Sequence, residues 1–368
     1  MKSLGKAATL ICSLAVSSAW AADYTESLLS LHKTLIEADS TTTAEALGTQ
    51  ALVLYLSEKF TVETQVVEGD PSRQNVYAYR GTSRKTRVLL TSHIDTVPPY
   101  IPYSRVGDEI WGRGASDAKG SVAAQVTTLE SLLDSGEVAE GDVSLLFVVG
   151  EESSGNGMRA ANSLNLTWDA VIFGEPTENK LVRAHKGVLG FNISASGVAG
   201  HSGYPELGRS AIDLLVLALD AIHESPLPWT EEFGNTTLNV GVIEGGIASN
   251  VIPESASGRA SVRAATADLE GIKDILNKAV KRVTPEYVEL SFGASGYPVS
   301  LDYDIEGFNT TVANYYTDVP HLNGTHKRYL YGPGTILVAH SAEERIKVSD
   351  LEEAVEGYKR LVLESLKR

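Results

Sequence analysis

Apolar residues recur at helical spacing from about Tyr24 to Phe60, with leucine as the repeating residue, so an amphipathic helical stretch is expected after residue 22. Beyond it, short apolar runs alternate with helix-like segments. Val88 to Thr91, Val143 to Val149, Ala170 to Phe173 and Thr335 to Ala339 read as strands. Ala118 to Leu133 is rich in alanine and leucine and reads as a helix, with Ser116 and Asp117 as plausible caps. Strands that are continuously apolar, rather than alternating, are covered on both faces. An α/β fold with a mainly parallel sheet is therefore expected.

From about Gly187 to Gly293 the rhythm changes. Strand-like Leu189 to Ser196 leads to helix-like Ser210 to His223, then to strands at Thr236 to Ile243 and Ser257 to Ala264, a helix at Leu269 to Val283 and a strand at Tyr287 to Phe292. The order β-α-β-β-α-β is ferredoxin-like, and it reads as a small domain inserted into the larger one. The expected division is 22–186 and 294–368 for the larger domain and 187–293 for the insert.

The first residues read as a secretory leader, 1–21. Lys2 and Lys6 supply the positive end, Ala7 to Val16 a short apolar run, and Ala19-Trp20-Ala21 the small residues of a cleavage site. The run is too short to span a bilayer. The single cysteine, Cys12, lies inside it, so disulfide or thiol chemistry is not expected of the mature chain. Secretion is the expected localisation. Five N-x-S/T sequons, at Asn165, Asn192, Asn235, Asn309 and Asn323, fit a glycosylated secreted protein in a eukaryotic host. The net charge is −16, or −18 without Lys2 and Lys6, which argues against nucleic acid or an anionic membrane surface as a partner.

Candidate chemistry follows the strands. His93 and Asp95 come after the first apolar strand, Glu151 and Glu152 after the second, Glu175 after the third and His340 after the last, while Asp117 opens the alanine-rich helix. Open α/β sheets bind ligands beyond the carboxyl ends of their strands. Taken singly, each of these residues has a plainer explanation: a structural histidine, a solvated acidic pair, a helix cap. Together, two histidines and several carboxylates suit Zn²⁺, and a carboxylate bridging two ions about 3.5–4 Å apart is the usual two-metal hydrolase arrangement.

These residues lie in recognisable motifs. Ser92-His93-Ile94-Asp95-Thr96-Val97-Pro98, Gly112-Arg113-Gly114-Ala115-Ser116-Asp117-Ala118-Lys119-Gly120, Gly150-Glu151-Glu152, Gly174-Glu175-Pro176-Thr177 and Tyr331-Gly332-Pro333-Gly334 with Ala339-His340 resemble, in order and spacing, the five metal-site motifs of the M20 metallopeptidases. The nearest likeness is to secreted fungal carboxypeptidases of the acetylornithine deacetylase and succinyl-diaminopimelate desuccinylase branch. The resemblance implies a metallopeptidase catalytic domain with an inserted lid or dimerisation domain, two Zn²⁺ per chain with Co²⁺ or Mn²⁺ able to substitute, and a homodimer formed through the insert. It implies that Asp117 bridges the ions, that His93 and Glu175 complete one and Glu152 and His340 the other, that Glu151 is the general base, and that Asp95 holds the other ring nitrogen of His93. In the insert, Gly200-His201-Ser202-Gly203 and Ser249-Asn250-Val251-Ile252-Pro253 resemble further family motifs. As the lid histidine does in dimeric relatives, His201 would then donate to the oxyanion in the active site of the other subunit, with Asn250 beside the substrate and Arg263 gripping its carboxylate. Without the resemblance, Asn250 reads as a turn residue and Arg263 as a surface ion pair. Gly334 either lets backbone amides approach the substrate carboxylate or simply makes a turn. Thr317-Asp318 departs from the family pattern, with Tyr316 where relatives carry glycine.

The substrate is expected to be a small peptide or an N-acyl amino acid. Secretion favours a scavenging carboxypeptidase over a biosynthetic deacylase. A catalytically inactive binding protein would be expected to have lost a ligand or Glu151, and none is missing. Gly155-Asn156-Gly157-Met158-Arg159-Ala160 matches G-x-G-x-x-A, but Glu151 and Glu152 would repel a pyrophosphate there, so its glycines are expected to shape a turn.

Overall fold

The computed structural model describes residues 24–367. The leader 1–21 and Cys12 lie outside the described residues. Internal contacts divide the chain into two units, one running to Arg183 and resuming at Leu301–Thr311 and from Thr317, the other comprising Ala184–Ser300 and Val312–Tyr316.

In the first unit the opening amphipathic stretch forms two helices, 24–37 and Ala46–Leu56. A six-stranded sheet runs in the order Thr61–Val67, Asp70–Tyr79, Val143–Val148, Val88–His93, Ala170–Gly174, Lys327–Tyr331. Its last four strands are parallel, and a hairpin adds the antiparallel edge. Every residue of Val88–His93, Val143–Val148 and Ala170–Gly174 is buried, as strands covered on both faces require. The helix Lys119–Asp134 is also buried almost all round, because its small residues lie between the sheet and the C-terminal helix Val348–Leu366. That outer helix buries Leu351, Val355, Tyr358 and Val362, one face at helical spacing.

Two expected elements are corrected. Thr335 to Ala339 is not a strand: the sheet edge is taken by Lys327–Tyr331, and the chain then breaks at Gly332-Pro333-Gly334 into an irregular loop in which Leu337 is 83% exposed. Ser116 and Asp117 do not cap the helix. It starts at Lys119, and Asp117 is turned aside to face His93 and His340.

The second unit carries the strands Gly187–Ser196, Thr237–Gly245, Ser255–Ala264 and Val288–Gly296 and the helices Ala211–His223 and Leu269–Val283. Its sheet is antiparallel throughout, with Ser255–Ala264 and Gly187–Ser196 at its centre, and both helices bury their apolar faces in this unit's core. Ser210 caps the first helix by accepting from the Asp213 amide, and Asp268 caps the second through Gly271. All five sequon asparagines are exposed. No helix among the described residues is long and apolar enough to cross a membrane.

Candidate metal centre

The centre is built at the carboxyl ends of three parallel strands of the first unit and completed by two loops. His93 is the last residue of its strand, Glu151 and Glu152 follow the next strand across a turn at Gly150, and Glu175 follows the third. Gly150 has φ +74, and a Cβ there would meet the Arg73 guanidinium, so the turn needs glycine. Gly155, with φ +67, and Gly157, whose Cα faces the Val149 backbone, fold the chain back beneath the same turn. This is the turn-shaping role expected of the G-x-G segment.

Asp117 stands at the middle. Its Oδ1 is 3.1 Å from His93 Nε2 and its Oδ2 is 3.3 Å from His340 Nε2. Glu175 Oε1 is 3.9 Å from His93 Nε2, and Glu152 Oε2 is 3.0 Å from His340 Nε2. One ligand atom from each of His93, Asp117 and Glu152 falls within 4.8 Å of the others. His93, Asp117 and Glu175 are buried, whereas the His340 side chain is 52% exposed. All five expected metal ligands therefore meet, although His340 arrives from a loop, with φ +61, and not from a strand end.

Asp95 differs from expectation. The Nδ1 of His93 is 2.9 Å from the Asp95 backbone carbonyl, whereas the Asp95 carboxylate is 3.7 Å away. That carboxylate instead accepts from Thr42 Oγ1 at 2.9 Å and from the amides of Glu151 and Glu152 at 3.1 and 3.2 Å. Asp95 thus fixes the imidazole through its main chain and the Glu151-Glu152 turn through its side chain. Thr42 was not legible as part of the site.

Asp318 joins the wall of the centre. It lines a small cavity with His93, Met158 and Glu175, its Oδ1 is 3.1 Å from His321 Nδ1, and Arg159 donates to the other ring nitrogen of His321 at 2.7 Å. Gly334, with φ +75, turns the chain against Ser116, and its carbonyl accepts from the Glu178 amide. In the second unit, His201 pairs in register with Val251, and the Ser202 amide donates to the Asn250 carbonyl, so His201 and Asn250 share one exposed corner. Arg263 lies at the opposite end of its strand, paired with Thr237 and Val188.

The electrostatics suit cations. Burial raises the carboxyl groups of Glu151 and Glu175 well above the usual range, reinforced by the neighbouring acids. Burial opposes a charge on His93, but its hydrogen bond to Asp117 and the nearby Glu175 and Glu151 outweigh that and raise it well above normal. Hydrogen bonds to Asp117 and Glu152 push His340 up to about 10. Nitrogen and oxygen donors crowded at one rim fit a divalent metal centre. The neighbouring carboxylates hold both imidazoles above their ordinary range, and ligation requires the rings neutral. Zn²⁺ uptake is therefore expected to release protons, with affinity rising with pH below the His340 value of about 10. Isothermal titration in buffers of different ionisation enthalpy measures this, and equal heats in all buffers would show that neither histidine gives up a proton on ligation.

Residues 183–289 match the peptidase dimerisation domain of the M20 family, and residues 75–171 match peptidase family M28. A peptidase M20 domain-containing protein of Schizosaccharomyces pombe is 46% identical over 346 residues, spanning 93% of this chain and 86% of the relative. The chain belongs to the M20 peptidase family. A second relative of this M20 metallopeptidase, a probable carboxypeptidase of Uncinocarpus reesii, is 44% identical over 390 residues, with 93% and 87% covered. Among solved structures, a tripeptidase of Staphylococcus aureus shares the fold at a TM-score of 0.78 and 21% identity, covering 94% of this chain and 99% of its own. The M20 metallopeptidase is a hydrolase, and its family implies divalent metal.

Proposed function

We propose that this M20 metallopeptidase is a secreted two-zinc carboxypeptidase that hydrolyses the amide bond next to a free C-terminal carboxylate. One observation carries the reading. The two oxygens of Asp117 face different histidines, His93 beside Glu175 and His340 beside Glu152, so one carboxylate can serve two ions. In this assignment His93, Glu175 and Asp117 hold one ion, and His340, Glu152 and Asp117 the other. When bound, the ions acidify a water and polarise the scissile carbonyl. Glu151, beside both ligand groups and outside each, takes the proton of the attacking water and delivers it to the leaving nitrogen. Burial raises its affinity for a proton, which suits a group that must take one up and hold it between the two steps.

We assign His201, acting in the active site of the other subunit of a homodimer, to the substrate carbonyl, Asn250 to the substrate, and Arg263 and Gly334 to the substrate carboxylate; the match of the second unit to a peptidase dimerisation domain supports the assembly. Secretion rests on the 1–21 leader, and the exposure of all five sequons is compatible with glycosylation.

Metal analysis of the mature protein, with hydrolysis of a blocked dipeptide and of an N-acetyl amino acid, tests the reading. The expected result is about two zinc ions per chain and chelator-sensitive release of the C-terminal residue. Preference for the acetyl substrate would make the protein an N-acyl amino acid deacylase. Absence of metal and of both activities, even with added Zn²⁺ or Co²⁺, would leave a binding protein.

A further inference from the structure

Glu344 is 2% exposed and lies four residues beyond His340 in the sequence. Its Oε2 accepts from Arg113 at 2.6 Å, and Arg113 is equally buried. Its Oε1 accepts from the amides of Gly114, Ser116 and Asp117 at 3.0, 3.2 and 3.1 Å. Three main-chain donors of one loop thus converge on a single carboxylate oxygen, an anion nest filled by a side chain from another loop. Arg113 closes the link from its own side by donating to the Ser341 carbonyl at 3.2 Å, and the Gly112 amide donates to the Glu344 carbonyl at 3.2 Å. The loop held in this way carries Asp117, and the loop that holds it carries His340.

We propose that Glu344 and Arg113 are a positioning pair that sets the separation of Asp117 from His340 and so the affinity of the metal site those two residues share. The inference rests on the two-metal reading above. Glu344 is not itself a ligand: each of its oxygens already accepts from protein donors. His93 and Glu175 are held differently, His93 through the Asp95 carbonyl and Glu175 at the end of its own strand, so the first ion depends on the pair only through Asp117. His340 is the ligand with most to lose, because it is half-exposed and in a loop without regular structure.

Glu344→Gln keeps the volume and removes the charge, placing an amide group against Arg113 or against the main-chain donors. The apo protein would be titrated with Zn²⁺ against a competing chelator, and the Co²⁺ form examined by visible absorption. The expected result is one equivalent bound as in the wild type, a second weakened at least about tenfold by loss of ligand orientation, and an altered Co²⁺ band for that second equivalent. Arg113→Lys, which retains the charge but not the guanidinium fork, is expected to weaken the same equivalent less, and it carries the test if Glu344→Gln does not fold. Two equivalents of wild-type affinity with an unchanged Co²⁺ spectrum, whatever the thermal stability, would overturn the proposal. A wild-type protein that takes up fewer than two ions would instead overturn the two-metal reading, before any variant is compared.

Discussion

Replacing Glu151 by glutamine is expected to lower kcat by about 10²- to 10⁴-fold, the usual worth of a general acid–base group, while zinc content and KM stay close to those of the wild type. The side chain contributes to neither ligand group around Asp117, so removing its charge should leave the ions in place. Its main-chain amide, which donates to Asp95 Oδ1, is unaffected by the substitution, so the turn should survive. The glutamine side chain can occupy the same space but cannot accept the proton of an attacking water. Metal analysis alongside steady-state kinetics on a C-terminal peptide substrate decides the matter. Wild-type turnover with both ions bound would remove Glu151 from the role of base. Loss of zinc together with turnover would make it a ligand instead.

Asp117→Asn should have the larger effect on the metal. The substitution is nearly isosteric, but it takes the charge from the one carboxylate that faces both histidines and leaves an NH₂ group toward one of them. Zinc is expected to fall from about two ions per chain to less than one after dialysis, with hydrolysis at assay background. Ligand binding to the native state stabilises it by mass action. Added Zn²⁺ should therefore raise the Tm of the wild type and leave that of the variant almost unmoved. A variant that retained two ions at wild-type affinity would refute the bridging assignment.

The parts of this fold that were legible in the sequence are those in which burial makes a local demand. Val143–Val148 is unbroken in apolar character apart from Ser144 because both its faces are covered, and the period of Leu269–Val283 marks a helix with one buried face. His93, Glu151, Glu152 and Glu175 were legible because each lies at or just beyond the end of such a strand, where the chain leaves the sheet at a common rim.

Illegible residues took their roles from distant parts of the chain. The apolar run Thr335 to Ala339 resembles a strand, yet the edge of the sheet is already occupied by Lys327–Tyr331, so the run is left as the loop that presents His340. Asp117 looks like a cap, but His93 and His340 bind its carboxylate instead of the helix amides. Thr42, His321 and Glu344 have no local signature at all, and Thr317-Asp318 carried only a motif that departs from the family pattern. Arg113 and Glu344 are 231 residues apart in the sequence, and only the folded chain makes them neighbours. Periodicity and strand-end position are properties of short segments, so the sequence by itself marked the central buried strands, the main helices and the chemistry at the strand ends, while the hairpin Thr61–Val67 and Asp70–Tyr79 and the edge strand Lys327–Tyr331 escaped it. Which polar groups meet, and which carboxylate holds a loop while another faces two histidines, was decided by tertiary structure, because a buried charge must find its partners wherever the packing brings them.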